Sequence, residues 1–87
     1  MFTKLGFVKH AYIMPDEILR SKIAAEVKRL RDLADKTQED LADESGLHTN
    51  YISLAERAKT SVTVDALKRI AKALGVSLAQ FFESIDE

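Results

Sequence analysis

Within the run LHTNYISLAERAKT, residues 47–60, hydrogen-bonding side chains recur on a helical repeat. Ile52 and Ala55 define an apolar side if this run is a helix. At about 100° per residue, the opposite side carries Asn50 and Arg57, flanked by Ser53 and Leu54. Thr49 lies at the near edge, and Tyr51 and Glu56 sit on the borders. These residue types share a chemistry. An asparagine amide bonds an adenine edge bidentately, and Thr or Ser hydroxyls reach bases or phosphates. An apolar group meets the thymine methyl, and Arg bonds guanine or phosphate. No acid stands on the outer face. The same face would also serve as the solvated side of an ordinary helix, and the residues taken alone favour that reading.

Other chemistries have less to build on. His10 and His48 are far apart and there are no cysteines, so a zinc site with its three or four ligands is not expected. Disulfide and thiolate chemistry are excluded for the same reason. Glu39/Asp43 and Asp40/Glu44 are carboxylate pairs at i,i+4. Acid–base work would need a pocket that shifts their pKa values, and on a short surface helix they read as a solvated face. No constellation points to an enzyme, and no cofactor is expected.

The elements that must position the 47–60 run follow from the hydrophobic spacing. Eighty-seven residues imply one domain with a modest core. Residues 1–15 form an apolar arm ending at Met14-Pro15, where the proline disfavours helix in the residue before it. A short strand, a packed segment and disorder all remain open for this arm. Residues 16–87 form the remaining domain. Asp16 can cap a long amphipathic helix, about 17–35, with Leu19, Ile23, Val27, Leu30 and Ala34 at helical spacing and Leu33 beside them. Thr37-Gln-Glu-Asp40 resembles a capping box opening a helix about 38–45, with Leu41 and Ala42 inward. Gly46 reads as the left-handed residue that ends it.

Leu47 and His48 leave only a tight turn before a third helix, about 49–57. Two short helices joined so closely are a helix-turn-helix signature. Ala58 to Val62 is a loop. Thr63 can cap a fourth helix carrying Val64, Leu67, Ile70, Ala71 and Leu74, which Gly75 ends. Ser77 can cap a fifth with Leu78, Phe81, Phe82 and Ile85. The expected fold is all-α with five helices.

The formal net charge of −1 argues against a non-specific nucleic-acid coat, but its distribution matters more than its sum. Thr37 to His48 holds Glu39, Asp40, Asp43 and Glu44 and no base, whereas Arg57 to Arg69 holds four bases against Asp65 alone. No segment approaches the roughly 20 apolar residues of a membrane span. Lys9 and His10 interrupt the N-terminal apolar run, against a signal peptide. The expectation is a soluble cytoplasmic protein.

Residues 23–82 resemble the helix-turn-helix family of phage Cro and repressor proteins, the Xre-like regulators. The matching stretches are TQEDLADESGL (37–47), YISLAER (51–57) and LKRIAKALGVSLAQFF (67–82). TNYISLAER with the later FFE is also similar to the small controller proteins of restriction–modification systems. The resemblance implies a five-helix, lambda-repressor-like domain. It implies a transcription regulator that binds double-stranded operator DNA as a homodimer on two half-sites, with helix three as the recognition helix. Gln38 matches the glutamine that anchors the DNA backbone in this family. Thr49, Asn50, Tyr51, Ser53 and Leu54 fall where the family places base and backbone contacts. Arg57, Lys59 and Thr60 fall in the loop that grips a second stretch of backbone. Arg31 and Glu56 match a structural salt bridge between helices one and three.

The sequence departs from the family pattern at Asp35 and Ala58, often glycine, and at Lys36, usually apolar. Helix one and the arm extend beyond the usual start. Phe81 and Phe82 are adjacent, so one is expected inside and the other free to meet a second subunit. With Ile85 they are the candidate dimer interface. A twofold dimer would set two recognition helices about 34 Å apart, one DNA turn. No membrane partner and no small-molecule effector are expected. A protein-interaction module, such as the antitoxin of a toxin–antitoxin pair, is the alternative. In that case the arm and the acidic second helix would serve a protein partner.

Overall fold

The computed structural model describes residues 16–85, and the readings made of the 1–15 arm lie outside them. Five helices follow one another: α1 Asp16–Leu33, α2 Gln38–Ser45, α3 Thr49–Glu56, α4 Val64–Ala73 and α5 Leu78–Ile85. α1 packs on α3 and α5, α2 on α3 and α4, and α4 on α5. Ile23 and Val27 of α1 meet Leu41, Ala42, Ile52, Leu67, Ile70, Ala71 and Phe81 in one core. Phe81, Leu41, Ile52, Leu67, Ile70 and Val27 are fully enclosed. Each such side chain contributes roughly 1.5–3 kcal/mol relative to exposure.

Four apolar side chains expected inward, Leu19, Leu33, Ala34 and Val64, are exposed. Leu19 is 47%, Leu33 72% and Val64 68% accessible. Leu33 ends α1 about a third of a turn off the line of Ile23 and Val27. Val64 is the first residue of α4, and helical side chains lean toward the N-terminus, so it projects past the end of the core. Leu19 lies one turn before Ile23 and lines a surface groove with α5 instead.

Local signals set the helix boundaries. Thr37 Oγ1 accepts the Asp40 N–H at 3.0 Å, and Asp40 Oδ2 accepts the Thr37 N–H at 3.0 Å, a full capping box. These bonds to the ionised carboxylate, the Thr37 backbone N–H first, hold Asp40 below its ordinary pKa. Ser77 and Gln80 repeat the reciprocal pattern before α5, at 3.0 and 2.8 Å. Thr63 Oγ1 accepts the Ala66 N–H at 3.0 Å before α4.

α1 to α4 all end alike. The N–H of Lys36, Leu47, Lys59 and Val76 bonds the carbonyl five residues back, at 3.1, 3.0, 2.9 and 3.0 Å. The residue before each of these donors is left-handed: Asp35 (φ 56°), Gly46 (71°), Ala58 (57°) and Gly75 (81°). These are Schellman ends. Asp35 stops α1 at Leu33, two residues short of the expected boundary. Ala58 takes the path a glycine would take, at a steric cost of about 1 kcal/mol.

Lys36, the other departure from pattern, bridges elements. Its ammonium donates to the Glu44 carboxylate and, at 2.9 Å, to the Ala73 carbonyl at the end of α4.

Candidate nucleic-acid interface

α3 turns Ile52 and Ala55 into the core. Asn50 and Arg57 are exposed, and Thr49, Ser53 and Leu54 are half-buried along the same outer side. The turn ahead of this helix is short because α2 ends at Gly46 and α3 is already capped at His48. The cap is an imidazole: His48 Nδ1 accepts the Asn50 N–H at 3.0 Å. A side-chain acceptor there satisfies one of the free donors of the helix start. The sequence signal for it was position alone, since His48 stands where Ser, Thr, Asp or Asn is the usual cap.

One carboxylate holds three helices at this edge. Arg31 of α1 donates through Nε to Glu56 Oε2 at 2.6 Å and through Nη2 to Oε1 at 2.9 Å. Its Nη1 donates to the Lys36 carbonyl at 2.8 Å. Gln38 of α2 donates through Nε2 to Glu56 Oε1 at 3.0 Å. The Glu56 side chain is 3% exposed and that of Arg31 11%. In that setting each charge needs the other, because burial of an unpaired ion is costly. The Gln38 side chain therefore leaves the N-terminus of α2 in a fixed direction with one amide hydrogen still free. The backbone N–H groups of Gln38 and Glu39 make no hydrogen bond among the described residues. Such groups at a helix start suit a phosphate oxygen. Gln38, Thr49 and Thr37 line one shallow groove with Arg31 and Lys36.

Beyond α3 the outer side continues into the 57–63 loop. Lys59 is exposed and Thr60 half-buried. Tyr51 Oη accepts the Thr63 N–H at 3.3 Å, which ties the middle of α3 to the start of α4. Its hydroxyl hydrogen remains available to an outside acceptor. Arg20 of α1 donates to Ser61 Oγ at 3.1 Å, a contact no sequence periodicity announced.

Elsewhere on the surface, α1 and α5 form a groove lined by Ile18, Leu19, Lys22, Ala79, Phe82, Glu83 and Ile85. The expected pair of interface phenylalanines divides here. Phe81 is fully buried in the chain's own core, so it has no surface to offer a second subunit. Phe82 is 37% exposed, and its ring meets Phe81 edge-on, with centroids 6.1 Å apart and planes at 89°. Of the three residues expected at an interface, Phe82 and Ile85 line this groove and Phe81 does not.

Among the described residues, no group of three His, Cys, Asp or Glu side chains is placed to hold a metal ion. No helix there is long and apolar enough to cross a membrane.

Two short helices locked at a tight turn, the second with a polar outer side, define the class: the chain belongs to the helix-turn-helix family, which it matches over residues 27–81. It is of the Cro/C1 type. Among its relatives, Control protein C.SmaI of Serratia marcescens is 38% identical over 60 residues, 69% of this chain and 71% of that one. Control protein C.BamHI of Bacillus amyloliquefaciens is 39% identical over 59 residues, 67% of this chain and 73% of that one. Of solved structures, the restriction–modification controller protein C.Esp1396I, as a tetramer in complex with its natural 35 base-pair operator, superposes with a TM-score of 0.74. That match has 41% identity and covers 78% of this chain and 90% of the other.

Proposed function

We propose that this chain is a transcription regulator of the restriction–modification controller type, binding operator DNA as a homodimer with α3 in the major groove of each half-site. The observation that carries the reading is the outer side of α3. Asn50, Ser53, Thr49 and Leu54 are short or uncharged, stand away from the core, and can approach base edges without a buried charge. The C.Esp1396I likeness supports the same class of ligand, since that protein was solved on its operator. Gln38 and the α2 N–H groups hold one phosphate stretch, and Arg57, Lys59 and Thr60 hold another. These contacts supply affinity and register, and α3 supplies sequence preference.

One short helix reads too few bases for an operator, so a second copy is needed. The α1–α5 groove is the surface we assign to it. Ile18, Leu19, Phe82 and Ile85 bury against the same residues of the partner subunit. Lys22 and Glu83 carry opposite charges on one patch, which suits the self-complementary contact of a twofold axis.

Selection of bound sites from random duplexes, run at two salt concentrations, tests this reading. The expected result is a twofold-symmetric motif with half-sites about one helical turn apart and binding that falls steeply with salt. Absence of enrichment at both salts would reject it and favour a protein-interaction module.

A further inference from the structure

Four of the five cations along α1 are accounted for by structure or by the groove. Lys28 pairs with Asp32, Arg29 with Glu26 and Arg31 with Glu56. Lys22 stands at the α1–α5 groove. Arg20 is different. Its hydrogen-bond partner among the described side chains is neutral, the Ser61 hydroxyl 41 positions away. A guanidinium has five donors and this contact uses one.

The place matters as much as the pairing. Ser61 lies two residues after Lys59 and four after Arg57, in the loop that follows α3. Arg20 thus brings a further positive charge to a loop already carrying two. Like charges gathered on an exposed loop repel one another unless an anion meets them. Arg20 also precedes residues 27–81, which the family model matches. It belongs to the early turns of α1 that the family pattern does not explain.

We propose that Arg20 is an additional DNA-backbone residue: it carries a guanidinium from α1 to the 57–61 loop and closes on a phosphodiester there together with the loop cations. The Ser61 contact pre-orders the side chain, which reduces the entropy lost on binding. The assignment rests on the regulator reading above.

The test is the salt dependence of binding to the selected operator duplex, for the full chain and for Arg20→Gln, Arg20→Lys and Lys28→Gln. Removing one phosphate neutralisation lowers the slope of log K against log salt by about 0.9, so Arg20→Gln should lower it by about 2 per dimer. Sequence preference should be unchanged. Arg20→Lys should keep most of the slope, and Lys28→Gln, with the same charge change on a residue paired to Asp32, should match the parent. An Arg20→Gln slope equal to that of the parent would overturn the proposal. So would weaker binding with an unchanged slope and a lowered melting temperature, because Arg20 would then merely brace the loop. A parent chain without salt-steep DNA binding would reject the regulator reading and this one together.

Discussion

At the α2–α3 edge the polar groups around the turn are occupied from within the chain. Thr37 and His48 cap the two helices, and Glu56 receives Arg31 and Gln38 together. At the α1–α5 edge the reverse holds. Ile18, Leu19 and Phe82 stand 44, 47 and 37% exposed around a groove, large apolar side chains that the described residues leave uncovered. Both edges rest on the same core. One is a rigid surface with a few donors left outward, suited to a polar ligand that must be met in register. The other retains the free energy of apolar burial for a partner whose contact is less directional.

Each edge can be attacked in turn. Glu56→Ala should have the largest effect, costing about 3–5 kcal/mol of stability, because it leaves the buried Arg31 guanidinium with only the more distant, exposed Asp32 carboxylate at 3.8 Å. Urea unfolding measures it, and a loss below about 1 kcal/mol would make the pair an ordinary surface contact. Phe82→Ala should leave the fold in place and weaken self-association by about 2 kcal/mol, roughly thirtyfold, as for a central interface aromatic. Sedimentation across a concentration series reads this, and an unchanged dimer constant would move the interface elsewhere. Asn50→Ala should reduce operator affinity about tenfold while binding to random duplex stays constant. Equal losses on both duplexes would remove its reading role. Ala58→Gly should be a small gain, about 1 kcal/mol of stability, since glycine takes the left-handed angle without the steric cost. Thermal melting against the parent chain checks it, and a lowered midpoint would show that the alanine path is unstrained.

The smallest effect belongs to acid. Glu26 on α1 accepts two hydrogen bonds from Arg29, at 2.9 and 2.7 Å, which hold its carboxyl below the ordinary range against the opposing effect of burial. A depressed folded-state pKa contributes stability that is complete above the unfolded value. That stability is lost as pH falls through the carboxylate range to the folded one. Glu26→Gln should therefore flatten the acid limb of a stability–pH curve, and an unchanged limb would assign it to other carboxylates.

What could be read from the sequence was mostly local. Thr37 with Asp40, Ser45-Gly46 and Thr63 each mark a boundary through atoms a few residues apart, and the α2 limits match the expectation. Periodicity also gave the inward side of α3, since Ile52 and Ala55 fix its opposite by geometry. It could not tell which apolar residues at a helix end would be covered, because that depends on how far the neighbouring helix extends. Leu19, Leu33 and Val64 were misplaced for this reason, and Phe81 could not be separated from Phe82. The link of Arg31 to Glu56 came from family likeness, and Gln38's share in it from neither likeness nor spacing. A contact across 18 or more positions leaves no mark in a local pattern.

The shared carboxylate of Glu56 has a consequence for the DNA. It joins the residue proposed to anchor the backbone, Gln38, to the helix proposed to enter the groove, through bonds of 3.0 Å or less. The distance from anchor to groove is then set by the protein and is not adjustable. A duplex whose groove width or bend does not suit that distance must deform to be bound. Such deformation costs more in stiff sequences than in flexible ones. The regulator should therefore discriminate among operators at base pairs that none of its side chains touches.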